Sequence, residues 1–340
     1  MVNHASALEH IRHTSGKRLA ILAHHYESDD IVCHADILGD SLELARKING
    51  LDAEYIVFCG VHFMAETAAI LTRPGQQVYF PDLSAGCVMA NMIPPQLVEA
   101  VLLRLRQEGA RIIPLTYVNS PAAVKALCGR YGGSVCTSAN AATMLAWALG
   151  QGDGVLFLPD ANLGRNTAQA LDLPASEQRV LDVRQAGERV APADAATRLY
   201  LWPGLCAVHA KFKSTHIQAV RSADPAARIL VHPECAPDVV NLADGAGSTS
   251  YLIQQTAAAQ AGAHLVIGTE YNLVQRLARR YPDKDIRPLR KALCSNMAKI
   301  TPAKLLHTLQ TLDTGAPVLV SEDIAAPARL ALQRMLAVCG

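Results

Sequence analysis

Three segments of the chain carry side chains that could do acid–base chemistry, and each segment follows a short apolar run. These side chains are His24 and Tyr26, then Tyr117 and Asn119, and finally His232 and Glu234. Histidine and glutamate are common general acids and bases, and a phenol can relay a proton. Each residue alone has a plausible structural role, so it is their recurrence that indicates a shared site.

A hydroxyl residue at the predicted start of a helix follows each segment at a similar distance. Ser41 lies 17 residues after His24, Ser138 lies 19 after Asn119, and Thr249 lies 17 after His232. Free N–H groups at helix N-termini bind anions, so these positions favour a carboxylate or phosphate ligand. A simple helix-capping role for each hydroxyl remains open.

A cysteine completes each unit of the recurrence. The intervals are 63 residues from His24 to Cys87, 62 from His232 to Cys294 and 87 from Asn119 to Cys206. The longest interval includes residues 161–198, which have little periodicity and are expected to form an inserted loop or a small helical excursion.

Three thiolates that meet at one point would bind a soft metal centre and leave one coordination position open. This donor set favours a [4Fe–4S] cluster with one iron free for substrate over catalytic zinc, which prefers histidine or mixed ligands. Spacing alone leaves open that the three cysteines only pack in the core.

Apolar runs typical of strands alternate with segments of helical periodicity. The predicted strands are 19–23, 55–59, 77–80, 111–117, 154–158, 228–231, 264–267 and 317–320. The predicted helices are 41–48, 96–107, 138–148, 215–222, 248–259 and 302–309. Strands that are apolar on both faces and separated by helices predict an α/β protein with parallel sheets covered on both sides. The carboxyl ends of such strands are where ligands bind, so the three polar segments would converge on one cavity.

Composition excludes several classes of protein. Hydrophobic residues make up 50% of the 340 residues, charged residues 18%, and the net charge is +1, which predicts no nucleic-acid or membrane partner. The N-terminal residues lack the apolar core of a signal peptide, so a cytoplasmic location is expected. Nine scattered cysteines without a C-x-x-C pair argue against disulfides. Apart from the three above, the cysteines are expected to be structural.

A dozen sequence blocks between about Leu19 and Leu306 carry a further signal. They include AHHYESDDI (23–31), GDSLELARK (39–47), FPDLSAGCVMANM (80–92), TYVNSPAAVKAL (116–127), FLPDANLG (157–164), WPGLCAVHAKF (202–212) and GTEYNLVQRL (268–277). In these blocks and their order the chain resembles the quinolinate synthase family, the A protein of bacterial de novo NAD biosynthesis.

The resemblance implies an architecture and a reaction. Three similar three-layer (αβα) domains with parallel sheets would surround a pseudo-threefold axis, with the active site at their junction. We expect domains at 1–91, 92–210 and 211–298, and a C-terminal helix–strand–helix segment at 299–340 that closes the assembly. The family's enzymes condense iminosuccinate with dihydroxyacetone phosphate to quinolinate, phosphate and two waters. One [4Fe–4S] cluster per chain, held by Cys87, Cys206 and Cys294, would act as the Lewis acid.

The resemblance also implies site residues. The substrate contacts correspond to His24, Ser41, Tyr117, Asn119, Ser138, His232, Glu234 and Thr249, with Tyr26 as a catalytic phenol. Glu234 is expected to be the general base, assisted by His24, His232 and Tyr117. Two positions depart from the family pattern. His25 stands where asparagine is more common, and the segment after Cys206 lacks an expected acidic residue. His209 in that segment is expected either to line the cavity or to pack.

Two other functions fit part of this pattern. A different [4Fe–4S]-dependent hydro-lyase on the same scaffold would act on another small dicarboxylate. A redox or iron sensor would need no ring of histidine, tyrosine and hydroxyl residues, and the chain has no basic DNA-reading helix. The quinolinate synthase interpretation also suggests transient contact with L-aspartate oxidase, which makes the unstable imine.

Overall fold

The computed structural model describes residues 4–48 and 50–339 and contains three parallel β-sheets. The first sheet consists of β1 (Leu19–His24), β2 (Ile37–Gly39), β3 (Tyr55–Cys59) and β4 (Gln77–Tyr79). The second consists of β5 (Ile112–Tyr117), β6 (Ser134–Cys136), β7 (Gly154–Leu158), β8 (Gln178–Val180) and β9 (Leu199–Leu201). The third consists of β10 (Arg228–Val231), β11 (Gly245–Ala246), β12 (His264–Gly268) and β13 (Asp285–Pro288).

The α-helices connect and cover these strands. Those of the first third of the chain are α1 (His4–Ser15), α2 (Asp29–Val32), α3 (Ser41–Ile48) and α4 (His62–Leu71). The second sheet is connected by α5 (Pro95–Leu105), α6 (Ala122–Arg130), α7 (Ala141–Leu149) and α8 (Ala161–Ala170). The third is connected by α9 (Ser214–Ala223), α10 (Pro237–Leu242), α11 (Thr249–Ala258) and α12 (Tyr271–Arg280), and the chain continues through α13 (Pro302–Gln310) and α14 (Glu322–Cys339).

The three sheets share one strand order, in which the first strand lies between the second and the third. The orders are β2-β1-β3-β4, β6-β5-β7-β9-β8 and β11-β10-β12-β13. Strands β1, β5 and β7 are buried along their whole length, as expected for parallel strands with helices on both faces. The predicted α/β class with three parallel-sheet domains is therefore confirmed.

The predicted irregular insertion is partly wrong. Residues 161–170 form α8, which follows the third strand of its sheet as α4 and α12 follow theirs. Its apolar periodicity is hidden because small residues face the sheet. A Cβ at Gly164 would lie 2.3 Å from the Leu201 side chain, so only glycine allows this close packing. Residues 178–180 then add the edge strand β8 to the second sheet.

The C-terminal segment also differs from expectation, because residues 317–320 form no strand. They run extended beside β4, and the Val318 N–H donates to the Val78 carbonyl at 2.7 Å. The last helix, α14, packs against α6 and β6 of the second domain. Ser134 Oγ donates to the Ala331 carbonyl, and Arg334 donates to the carbonyls of Gly129 and Gly133. Among the described helices none is long and apolar enough to cross a membrane.

Candidate active site

The polar residues that follow the first strand of each sheet line one cavity of about 950 Å³, measured with its opening. Those strands are β1, β5 and β10, which occupy the same place in their sheets. The cavity brings together every residue proposed from the sequence, namely His24, Tyr26, Ser41, Cys87, Tyr117, Asn119, Ser138, Cys206, His232, Glu234, Thr249 and Cys294. The three sheets therefore direct their carboxyl-terminal edges at a common space, where loops and helix starts supply the chemistry.

The three hydroxyl residues reach the cavity in two different ways. Ser41 and Thr249 are the first residues of α3 and α11, so their neighbours Asp40 and Ser248 are the capping residues. The expected helix start at Ser138 is wrong, because α7 begins three residues later at Ala141. A turn intervenes because the Asn140 side chain accepts the N–H of Thr137 at 2.6 Å. Side chains of this type favour turns by bonding to nearby backbone.

Each cavity cysteine opens a turn of the same shape. The carbonyls of Cys87, Cys206 and Cys294 accept an N–H from the fourth residue onward at 3.0, 2.9 and 3.1 Å. The backbone N–H groups two and three residues onward lie close to each sulfur and act to lower the pKa of its thiol. No disulfide involves any of the three. Three unpaired sulfurs, each facing two N–H donors, form a cradle that would stabilise negative charge on thiolates.

The cavity cysteines remain protonated unless a cation joins them. Burial, followed by a smaller effect of nearby Cys294, raises the pKa of Cys87 to about 12. Burial and then Glu234 raise the pKa of Cys206 well above its usual value, with Cys87 contributing further. Thiolate formation therefore needs a positive centre, and soft thiolate donors suit iron–sulfur or other soft metal centres.

Glu234 and His209 are a buried pair of side chains that forms one wall of the cavity. His209 Nδ1 lies 2.7 Å from Glu234 Oε2, and the imidazole stacks on His232 with 4.3 Å between ring centroids. Burial alone would raise the pKa of Glu234, but the neighbouring His209 and, by a smaller effect, a hydrogen bond from Tyr117 lower it overall. Glu234 is therefore an ionised base, and His209 lines the cavity, which the sequence left undecided.

A chain of hydrogen bonds joins this pair to Tyr26. His209 Nε2 lies 3.2 Å from Thr269 Oγ1, which lies 2.8 Å from the Tyr26 hydroxyl. Thr249 donates to the same hydroxyl at 3.2 Å. If His209 Nδ1 donates to the carboxylate, its Nε2 accepts from Thr269. Thr269 was missed in the sequence, although its position directly after β12 places it at the same sheet edge.

Two imidazoles and two phenols of the cavity are held neutral by burial. Burial, with a smaller effect of neighbouring histidines, lowers the pKa of both His24 and His232 to about 3. Burial, followed by Glu234, raises the pKa of Tyr26 and Tyr117 well above 10. Both imidazoles are therefore uncharged and both phenols keep their protons at neutral pH.

His25, one of the two positions expected to depart from the family pattern, does not line the cavity. Its Nε2 lies 3.6 Å from Glu43 Oε2. This contact with His25 is the largest cause that lowers the pKa of Glu43 to about 2. His25 thus supports α3, the helix that begins at Ser41, and is not part of the cavity lining.

Comparison with known proteins identifies the family. The model of the NadA family, described as the quinolinate synthetase A protein, matches residues 8–337. A quinolinate synthase of Bacillus velezensis is 45% identical over 96% of this chain and 90% of its own length. Those of Anoxybacillus flavithermus and Halalkalibacterium halodurans are each 46% identical, over 96% and 94% of this chain and 91% and 89% of theirs. A D-lactate dehydrogenase structure from Sporolactobacillus aligns with a TM-score of only 0.21 at 12% identity over 94% of this chain and 96% of that one, which supports no conclusion. The chain therefore belongs to the quinolinate synthetase A family of enzymes.

Proposed function

We propose that this enzyme condenses iminosuccinate with dihydroxyacetone phosphate to give quinolinate, phosphate and two waters, in de novo NAD biosynthesis. The observation that carries the proposal is the single cavity in which an ionised base, neutral imidazoles and phenols face three unpaired cysteines. Carbon–carbon condensation followed by dehydration needs a base, proton donors and an electrophile to activate a departing hydroxyl.

We assign Cys87, Cys206 and Cys294 as the ligands of one [4Fe–4S] cluster per chain. Their soft sulfurs, their shared turn and the N–H groups close to each sulfur fit such a centre. When bound, the cluster supplies a Lewis acid at the iron that no cysteine holds, which polarises a substrate oxygen.

The hydroxyl and amide groups of the cavity suit the carboxylates of iminosuccinate. Ser41 and Thr249 combine a hydroxyl with the N-terminal end of a helix, where positive partial charge favours an anion. Asn119 and Ser138 add neutral donors from the second domain. The Asn119 side-chain oxygen has no hydrogen-bond partner among the described residues, so it can also accept a hydrogen bond from a substrate hydroxyl or N–H group.

The triose phosphate needs a cation, and Lys211 is in a position to supply it. Among the described residues that line the cavity, Lys211 is the one lysine or arginine. It lies in the short turn His209–Lys211 and is exposed, so its ammonium can reach a phosphate at the cavity edge. An ammonium binds phosphate as a point charge without demanding a fixed orientation.

Glu234 is placed to remove a proton from the triose carbon, because it is ionised and buried beside a neutral His232. The departing hydroxyls must gain protons, and the phenol of Tyr26 can donate one. The chain through His209 and Thr269 links the base to this phenol. In the tautomer with the His209 proton on Nε2, Nδ1 accepts the proton taken at Glu234 and Nε2 donates through Thr269 to Tyr26, which gives the proton a route back to the substrate. Tyr117, hydrogen-bonded to Glu234, holds the carboxylate in place.

A mononuclear metal site is the second candidate function for the cavity wall formed by Glu234 and His209. Cys206, His209 and Glu234 present ligand atoms within 4.8 Å of one another. The 2.7 Å between His209 and Glu234 is a hydrogen-bond distance, however, which favours the pair as base and partner. Metal analysis distinguishes the two candidates, because one zinc per chain and no sulfide would support the mononuclear site.

Anaerobic iron and sulfide analysis, coupled to a quinolinate assay, tests the proposed function. About four irons and four sulfides per chain are expected. Quinolinate should form only when both substrates are present. Alanine at any of the three cysteines should abolish cluster and activity. Glu234→Gln should keep the cluster and lower kcat by about 100-fold or more. A cluster-free, active protein, or full activity in Glu234→Gln, would overturn the assignment.

The proposal includes transient contact with L-aspartate oxidase, because an imine hydrolyses in water and benefits from rapid transfer. Addition of the oxidase should raise quinolinate yield from aspartate above that obtained when the imine is made in a separate vessel.

A further inference from the structure

One backbone hydrogen bond recurs in all three domains next to the cavity cysteine. The helix after the third strand of each sheet donates its first N–H to the carbonyl two residues before the cysteine. The pairs are His62 to Ala85 at 2.9 Å, Ala161 to Gly204 at 3.0 Å and Tyr271 to Ala292 at 2.9 Å. Each cysteine segment is thereby attached to a helix N-terminus.

In two domains a buried carboxylate adds a second attachment, directly to the cysteine. Asp160 caps α8 by accepting the Leu163 N–H at 2.8 Å, and its other oxygen accepts the Cys206 N–H at 3.1 Å. Glu270 caps α12 by accepting the Asn272 N–H at 2.7 Å, and its other oxygen accepts the Cys294 N–H at 3.4 Å. Both side chains are fully buried.

The first domain has no capping carboxylate at the corresponding position. Val61 precedes α4 at the corresponding position and has no acceptor in its side chain. The segment of Cys87 therefore relies on the backbone bond from His62.

Burial of a carboxylate is costly unless its oxygens accept hydrogen bonds, and helix N-termini provide such donors. An ordinary capping residue needs only the donors of its own helix, and asparagine or serine serves as well. A carboxylate differs because its second oxygen is also an acceptor. In Asp160 and Glu270 that second oxygen is used on the cysteine.

We propose that Asp160 and Glu270 are positioning residues that fix Cys206 and Cys294 as cluster ligands by tying each cysteine N–H to a helix start. The inference rests on the proposed cluster. A fixed N–H fixes the direction of the Cα–Cβ bond, so a sulfur that leaves the iron stays close enough to return. Without this hydrogen bond the cysteine side chain can turn away from the iron, so the cluster is lost faster.

Asp160→Asn and Glu270→Gln test this tie selectively. The amide oxygen still caps the helix, but the NH₂ group faces the cysteine N–H, where two donors cannot bond. Thr301→Ala is the matched control. Thr301 caps α13 by accepting the Lys304 N–H and has no hydrogen bond to a cavity cysteine, so this variant loses a cap without touching the tie.

The measurement is the anaerobic rate at which an iron chelator removes the cluster, followed by loss of its visible absorption. Both amide variants should lose the cluster about tenfold faster than wild type, the size expected for one lost buried hydrogen bond. Thr301→Ala should match wild type. Thermal unfolding of the cluster-free proteins should show the amide variants no less stable than the control, which separates ligand positioning from general destabilisation.

Two outcomes are distinguishable. Wild-type protein that binds no cluster would defeat the proposed function itself. Wild-type protein with a cluster, and amide variants that release it at the control rate, would overturn only this inference. The two sites lie in different domains, so if one variant does not fold the other still decides.

Discussion

At the scale of single residues, the cavity depends on burial to set protonation. Burial keeps His24 and His232 uncharged and leaves Tyr26 and Tyr117 as phenols, whereas charged and hydrogen-bonding neighbours keep Glu234 ionised. Base and proton donors therefore coexist at neutral pH within a few ångströms. Neighbouring groups whose pKa values are moved apart in this way are typical of acid–base sites.

Thr269→Val should interrupt the chain between Glu234 and Tyr26, because valine cannot bond to either His209 or the phenol. We expect kcat to fall about tenfold or more, with KM and iron content unchanged. Steady-state kinetics with both substrates measure this. Thr256→Val is the matched control, since Thr256 is equally buried but bonds only to the Leu252 carbonyl. Equal kcat in the two variants would show that protons do not pass through Thr269.

Glu27→Gln should change how stability depends on pH. Neither carboxylate oxygen of Glu27 has a hydrogen-bond partner among the described residues, and burial, followed by Glu270, raises its pKa from 4.5 to about 9. Between these values the folded protein holds a proton that the unfolded chain has released, so wild-type stability falls as pH rises. Glutamine has no proton to lose.

The unfolding free energy of Glu27→Gln relative to wild type should therefore increase by about 1 kcal/mol per pH unit between pH 6 and 8. Urea unfolding at pH 6, 7 and 8 measures it. The exposed Glu108→Gln is the control. A difference that does not change with pH would mean that Glu27 is ionised in the folded protein.

At the scale of elements, close approaches between helices explain several glycines. Gly129 of α6 faces the backbone of α14, and a Cβ there would lie 1.8 Å from the Pro327 carbonyl oxygen. Any side chain at position 129 would therefore push α14 away from the second domain. The contact therefore depends on the absence of a side chain, as at Gly164 against the sheet.

Gly129→Ala should destabilise the protein by about 1–3 kcal/mol despite the better helix propensity of alanine, because overpacking outweighs propensity here. Gly150→Ala is the control, since its nearest neighbour would be 3.4 Å away, an ordinary contact. Thermal unfolding compares the two. Equal unfolding temperatures of the two variants would show that α14 can move to accommodate the alanine with little loss of stability.

How far sequence predicts structure also depends on the element. Strands Tyr55–Cys59 and Gly154–Leu158 have the predicted bounds, because continuous apolar runs leave few alternatives. Strand Gly245–Ala246 was missed, since two small residues carry no pattern. Helix α4 was missed because nearly every face is buried, which removes amphipathic periodicity.

The residues of the candidate site also divide into those that the sequence predicts and those that it does not. Positions directly after apolar strands could be predicted, because parallel strands bring their carboxyl ends to one edge. The roles of Thr269, Asp160 and Glu270 could not, although all three lie just after apolar strands, since each acts through a partner far along the chain that no local pattern identifies. Tyr26 and Thr269, for example, are hydrogen-bonded across 243 residues.

At the scale of the whole molecule, the cavity depends on how the first and third domains are joined. Arg276 of α12 donates to the carbonyls of His25 and Glu27 at 2.7 and 2.5 Å and to Asp29 at 2.6 Å. Asn272 of the same helix donates to the Tyr26 carbonyl at 3.1 Å. The third domain therefore holds the backbone on both sides of Tyr26, although Arg276 does not line the cavity.

Arg276→Met should lower stability by about 2–4 kcal/mol, because it leaves partly buried carbonyls without a donor. It should also lower kcat, because Tyr26 is no longer held against Thr269. Arg279→Met is a close control on the same helix, since Arg279 is largely exposed and pairs only with Asp29. Arg279→Met should lower the free energy of unfolding by less than about 1 kcal/mol. Calorimetry and steady-state kinetics compare the variants, and similar losses in both would contradict this role of Arg276.

The position of α14 has a consequence for biosynthesis. A growing chain leaves the ribosome with Ser134 emerging 197 residues before its partner Ala331. The second domain must wait with an uncovered apolar face until that helix has been translated. Chaperone protection during this interval would follow from the order in which the polypeptide is made.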